Sequence, residues 1–409
     1  MISYNQIYEI NVRFSTRHGK EVDLRILIYR WNVFNQEDIK SALENLGNAV
    51  DMYTETDKSK KQEESQELMD VIKEHEVVLS VNYFPRVSDA CQRLGRKYIA
   101  WTVDSPLIAM YHQSVFNECN YIFIFDKVSY YQFKQMGVKN VYHMPLAVNA
   151  GRVSGIIAAT PQDELDRYNS QVSFVGGLYH KNSYDAIEDK LTPYLRGYFE
   201  CAMEAQMDLF GDNLFDRILT VDILSQLSEL VEFKQQDRSF SDLKLVFAST
   251  FLGFKMAQKE RIRCLNRLAA SLDVDLYSDG DDPELVGVNL RGSVNYEKDM
   301  PKVFNRSKVN MNFTMRNIRS GIPLRVWDVL GAGGFLLTNF QAELPAYFEN
   351  GKDLVYYDST EDMLRKAEYY MNHEDERATI AANGHKLVAA HHSYETRLQE
   401  MLRLAGCPC

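Results

Sequence analysis

The residues best equipped for chemistry concentrate in Asn312-Phe-Thr-Met-Arg-Asn-Ile-Arg-Ser-Gly-Ile-Pro-Leu-Arg-Val-Trp-Asp-Val-Leu-Gly-Ala-Gly-Gly334. A strand is predicted to end near Phe313. A loop carrying Arg316, Arg319 and Gly321 follows, then a helix with Pro323 near its first turn, where a missing N–H costs little. Free N–H groups at a helix start, set beside guanidinium forks, suit a diphosphate. Arg325 and Asp328 stand three apart and share a helical face, and a carboxylate there can accept hydrogen bonds from a ribose diol. The same two residues also read as a plain surface ion pair. Gly331, Gly333 and Gly334 close the helix and let backbone pass close to a neighbour.

Phe174-Val-Gly-Gly-Leu-Tyr-His-Lys-Asn182 is the second candidate. Its strand runs into Gly176 and Gly177, with Lys181 within reach of a diphosphate; a simple turn explains the glycines equally well. The pattern is not G-x-G-x-x-G, and no suitably spaced acid supports NAD binding. Asp104 follows the strand Tyr98–Trp101 and precedes Pro106, so it stands in a loop at a strand's carboxyl end. There it could serve as a general base toward a hydroxyl, or simply bond its own turn. Asp126 has the same topology after Tyr121–Phe125, with weaker appeal, and His143 reads as structural. Asp273, Asp275, Asp279 and Asp281 read as strand and solvated turn, and His391-His392 lacks further ligands, so no metal is expected.

These groups need a scaffold. Apolar runs at Leu24–Tyr29, Val77–Val81, Lys97–Trp101, Tyr121–Phe125 and Asn140–Leu146 alternate with helix-length sequence, as in a parallel sheet buried on both faces. The polar stretch from Asp57 to Gln66 interrupts the series as an exposed helix or loop. Gly151–Asn169 reads as a weak polar connection, and the alternation restarts at Gln171–Gly177. It continues through Val274–Tyr277, Val309–Phe313, Phe335–Thr338 and Leu354–Tyr357. The expected fold class is α/β, with two Rossmann-like doubly wound domains facing a cleft and a helical insertion at about 184–245 in the second. The expected division is 1–165, 166–390 and a C-terminal helical segment, 391–409, returning to the first domain. Ligands of such sheets bind beyond the strands' carboxyl ends.

Composition narrows the classes. Lys plus Arg total 46 against 57 Asp plus Glu, a formal charge of −11, which disfavours a duplex nucleic-acid binder. No apolar run approaches the ~18 residues of a membrane helix, and the start shows no cationic-then-apolar leader. Six scattered cysteines without C-x-x-C spacing read as reduced thiols, and a cytoplasmic address follows.

Ile322-Pro-Leu-Arg-Val-Trp-Asp-Val-Leu-Gly-Ala-Gly-Gly-Phe-Leu-Leu-Thr338 resembles the nucleotide-sugar signature of GT-B glycosyltransferases, most closely the bacterial CgeB-like (spore maturation protein) branch of group 1. Arg291–Phe304, Gln341–Leu354 and His391–Arg397 resemble further segments of that branch, as do Trp101–Pro106 and Met144–Asn149. The resemblance implies a GT-B fold, with Asp328 on the donor ribose and Arg325, Arg316 or Arg319, Lys181 and the Gly177 loop on the diphosphate. Asp104 is the acceptor-side base in that scheme. The acid at position 328 is usually Glu, and the paired Glu expected near Ser320 or Gly321 is absent. The implied activity is metal-independent glycosyl transfer with no cofactor beyond the nucleotide-sugar donor, to an acceptor the sequence does not identify, with a homodimer left open. A non-catalytic glycan- or nucleotide-sugar-binding assembly protein and a nucleotide-sugar epimerase are the alternatives.

Overall fold

The computed structural model describes residues 24–31, 35–54, 65–209 and 212–408. The first residues of the chain, most of the polar stretch from Asp57 and Cys409 lie outside the described residues. In the first lobe the strands are β1 (Arg25–Arg30), β2 (Ala49–Thr54), β3 (Val77–Val81), β4 (Lys97–Trp101), β5 (Asn120–Ile124) and β6 (Val141–His143). They form one parallel sheet in the order β2-β1-β3-β4-β5-β6. The second lobe holds β7 (Ser170–Val175), β8 (Val274–Tyr277), β9 (Val288–Leu290), β10 (Ser307–Asn312), β11 (Leu336–Asn339) and β12 (Val355–Tyr357). Its parallel sheet runs β12-β11-β10-β7-β8-β9. The two doubly wound lobes and the insertion agree with the expected fold class.

The central strands are the ones the apolar runs announce. All five residues of β3 are buried, and β1 buries its four central residues, because helices cover both faces of each sheet. The outermost β2 and β9 escape that reading. Residues along β2 are mostly exposed or half-buried, and β9 has three residues of which two are exposed. An edge strand covered on fewer sides needs fewer apolar residues.

The connection between the lobes corrects one expectation. Instead of a weak polar linker, Ala150–Ala159 is a helix, capped by the Asn149 side chain accepting from the Arg152 N–H at 3.0 Å. It holds because Val153 and Ile157 turn onto a hydrophobic cluster shared by both lobes. That cluster joins Phe123, Phe125 and Val148 to Val326 and Leu330, and includes Tyr394 and Leu398 of the last helix, Tyr394–Leu404. The last helix packs against the first-lobe helix Gln36–Asn45.

Helices Pro193–Met207 and Val221–Leu230 of the insertion carry their own core, with Phe199, Phe215, Leu227 and Phe247 buried together. The insertion also reaches the first lobe. The Gln113 N–H donates to the Arg238 carbonyl at 2.9 Å, and the Phe240 N–H to the Tyr111 carbonyl at 2.8 Å. Among the described residues no helix is long and apolar enough to cross a membrane.

Candidate active site

The strand order of the second sheet reverses between β7 and β10, and their carboxyl ends open a crevice there. A cavity of ≈ 510 Å³ occupies this place, between the lobes. Its floor comes from Tyr179 after β7 and from Phe313, Thr314, Met315, Asn317 and Ile318 after β10. Its facing wall is the first-lobe loop Val103–Ala109, after β4. Among the described residues lining it, Asp104 is the one carboxylate, and Arg261 and Arg325 are the cations.

Arg325 lies at the start of the helix Leu324–Gly331. Its Nε donates to the Val175 carbonyl at 2.7 Å and a terminal nitrogen to Asn312 Oδ1 at 2.8 Å. Asn312 is held in turn by Thr314 and Thr338, at 2.8 and 2.9 Å, which aims its oxygen at the guanidinium. Gly176 makes room for this side chain: a Cβ there would stand 2.4 Å from an Arg325 nitrogen. Arg261 comes from the helix Gly253–Ala269 and donates to the carbonyls of Gly177 and Phe313, the latter at 3.2 Å. Both guanidiniums lie over the ring of Phe174, at 5.2 and 4.9 Å, and Arg261 also covers Tyr179 at 4.5 Å.

All four of these hydrogen bonds end on neutral oxygens, and among the described residues neither cation forms an ion pair with a carboxylate. Enclosure and the charge of Arg261 pull the Arg325 pKa down to about 10, which leaves it cationic at neutral pH. Asp328 attracts Arg325 without forming an ion pair. Two enclosed like charges with no paired carboxylate among the described residues are costly, and an anion with several acceptor oxygens relieves that cost. No motif or spacing points to Arg261. It stands in a run of charged residues, Lys259-Glu260-Arg261, on a helix whose inward face only packing reveals.

Asp104 faces the two cations across the cavity. Asn82, after β3, sits in the left-handed region at φ 63° and clamps the loop. Its oxygen accepts from the Val103 N–H at 2.9 Å, and its amide donates to Asp104 Oδ2 at 2.7 Å. Asp104 Oδ1 has no partner among the described residues. The carboxyl is accessible from the cleft, yet the surrounding walls raise its pKa, against the opposing Asn82 hydrogen bond.

Asp126, the weaker base candidate, is fully buried and committed elsewhere. Oδ2 accepts from the Arg319 N–H and the Ser105 hydroxyl, both at 2.9 Å, and Oδ1 from the Val128 N–H at 3.1 Å. It fastens the lobes together rather than facing ligand. A Cβ on Gly321 would stand 2.9 Å from the Asp126 Cα, so only glycine fits this contact. His143 lies 2.8 Å from Glu343, whose other oxygen accepts from the Lys127 N–H, also at 2.8 Å. It belongs to the same lobe contact.

Of the residues singled out in the sequence, the structure brings Asp104 and Arg325 into one cavity, with the Gly177 carbonyl behind Arg261. Arg316 is not brought there. It is buried and paired with Glu260 at 2.6 Å, because the loop turns it into the insertion. Arg319 pairs with Asp216 and lines a neighbouring cavity. Lys181 is exposed and is not among the residues lining this cavity.

Asp328 is buried deeper, accepting from the Tyr296 hydroxyl at 3.1 Å, and makes no ion pair with Arg325. Across the lobe boundary Asp38 is held by Arg152, with contacts of 2.6 and 2.9 Å. Burial raises the Asp328 pKa from 3.8 to about 7, with the Asp38 charge assisting and the Tyr296 hydroxyl opposing. The folded state therefore holds a proton that the unfolded chain has released, so this contribution to stability is lost as pH rises from 3.8 through about 7. Asp328→Asn should remove that dependence. Urea unfolding across this pH range is expected to show the variant gaining steadily on the native chain as pH rises, and a constant difference counts against the raised pKa.

Among the described residues no three His, Cys, Asp or Glu side chains gather into a metal-binding group.

Residues 259–403, which include Arg261, Arg325 and Asp328, match the family model described as glycosyl transferase-like. A glycosyltransferase from Rickettsia africae ESF-5 superposes with a TM-score of 0.52 at 9% identity, over 94% of this chain and 98% of that one. The N-terminal domain of Candida albicans trehalose-6-phosphate phosphatase gives 0.52 at 8% identity, over 95% of this chain and 98% of that one. At such identities the likeness is one of fold, the two-lobed GT-B architecture. No curated protein sequence matches the chain significantly.

Proposed function

We propose that the protein moves a glycosyl group from a nucleoside diphosphate sugar to an acceptor hydroxyl without a metal ion, as a relative of the CgeB-like branch. The observation that carries this reading is the pair of enclosed, carboxylate-free guanidiniums, Arg261 and Arg325, facing a single carboxylate across a cleft between two doubly wound lobes. The diphosphate lies against the guanidiniums, with the nucleoside extending toward Asp328, where Tyr296 yields its hydrogen bond to the ribose. Lys181, Arg316 and Arg319 take no part in holding the donor.

In the reaction the acceptor oxygen forms a bond to the anomeric carbon as the bond to the diphosphate oxygen breaks. The electron pair leaves with the diphosphate, whose growing charge Arg261 and Arg325 stabilise from fixed positions. The acceptor proton passes to Asp104, whose unpartnered Oδ1 is oriented by the Asn82 bond to Oδ2. Displacement on this geometry inverts the anomeric centre.

Calorimetry with UDP, GDP and dTDP, followed by mass spectrometry of the products from the corresponding sugar donors, tests the reading. One diphosphate should bind and its sugar should appear on an acceptor. Failure of every nucleotide to bind overturns the reading, donor bound but unchanged indicates a binding protein, and an epimerised donor indicates an epimerase.

A further inference from the structure

A second cavity, of ≈ 360 Å³, adjoins the first and shares Pro106, Ser249 and Asn317 with it. We infer that this cavity is the acceptor subsite and that it takes a neutral saccharide, held between the first lobe and the helical insertion of the second. The inference rests on the transferase reading above, and it identifies the substrate class that the reading leaves unnamed.

The first lobe contributes Tyr111 and Gln132, and the insertion contributes Phe240, Asp242 and Lys244. Arg319, from the loop after β10, completes the rim with its partner Asp216. The insertion is fastened here by the Tyr111–Phe240 and Gln113–Arg238 backbone bonds, so the wall is built and does not depend on a ligand to form it.

The chemistry of the lining selects the occupant. Tyr111 and Phe240 meet edge to face at 5.8 Å, and the half-buried Phe240, held from behind by the buried Tyr111, offers apolar surface to the C–H face of a sugar ring. The Tyr111 hydroxyl accepts from Gln132 at 3.0 Å, which leaves its own proton to donate. Lys244 has no partner among the described residues, and Asp242 offers a carboxylate beside it. Donors and acceptors interleaved around an aromatic face match vicinal hydroxyls, each of which both gives and accepts. A lipid chain would leave these groups unsolvated and unpaired. An extended peptide would need a free backbone edge, and the edge at His112 is already bridged to Ser239. Two carboxylates, Asp216 and Asp242, balance two cations, Lys244 and Arg319, so the occupant is neutral.

Saturation-transfer difference NMR on the full chain tests the assignment, free and saturated with UDP, with glucose, galactose, mannose, N-acetylglucosamine and their β-methyl glycosides. At least one should bind. Phe240→Ala should weaken it about tenfold, and Lys244→Ala should weaken it measurably, while UDP affinity stays unchanged in both. Absence of saccharide signal in free and UDP-saturated protein overturns the inference, as does binding untouched by either substitution. Failure of UDP, GDP and dTDP alike to bind the native chain would instead strike the donor reading, because saccharide binding is read independently in the free protein.

Discussion

Arg325→Ala should lower affinity for the preferred nucleoside diphosphate by about 10- to 100-fold, and Arg261→Ala by a similar factor. A hydrogen bond to a charged group contributes about 1.5–3 kcal/mol, and each 1.4 kcal/mol is about tenfold in affinity. Both guanidiniums are already aimed by carbonyl partners, so binding spends little entropy on ordering them. Burial first, and the charge of Arg261 second, oppose ionisation of Arg325 and pull its pKa down. Removing either charge relieves the repulsion between the two, which offsets part of the loss of its carbonyl contacts. The diagnostic result is therefore a modest drop in melting temperature without nucleotide, together with loss of the nucleotide-induced rise. Arg325→Lys, which keeps the charge but loses the fork, should recover only part of the affinity. Native affinity in both alanine variants, measured by calorimetry, would remove the donor site from this cavity.

Turnover should fall about 10²- to 10⁴-fold in Asp104→Asn while nucleotide affinity holds, the span expected for losing a positioned base. Asparagine preserves the shape of the loop and removes the proton acceptor. The pH profile gives an independent reading. A base must be ionised, and the cleft walls raise the Asp104 pKa above 3.8. Native turnover should therefore decline as pH falls through that raised value, and the residual activity of Asp104→Asn should lack this acidic limb. A variant that keeps native kcat with acceptor bound, or an unchanged acidic limb, excludes Asp104 as the base.

Much of the fold is legible in the residues. The buried strands β3, β4 and β5 are nearly unbroken apolar runs, since both faces meet helices. The edge strands β2 and β9 carry no such mark, and β2 even places Asp51 beside His75 at its rim, 3.0 Å away. The linker helix Ala150–Ala159 was hidden for a related reason. Its sequence is rich in small residues, and what stabilises it is a core assembled from both lobes.

The site divides in the same way. Asp104 and Arg325 could be placed at the crevice because local sequence sets one just after a strand and the other at a helix start, where a parallel sheet presents its ligands. Arg261 and Arg316 could not be sorted. Both are arginines near the crevice, and the sequence favoured Arg316 because it lies in the loop. Packing brings Glu260, 56 residues away in the chain, to Arg316, and leaves Arg261 with carbonyls alone.

The order of residues thus determined which segments become strands and at which ends of them loops converge, because backbone hydrogen bonding and apolar burial follow local pattern. Tertiary structure alone decided which cations remain available to a ligand. A charge is cancelled by whatever opposite charge lies within about 4–6 Å, and only folding sets that separation.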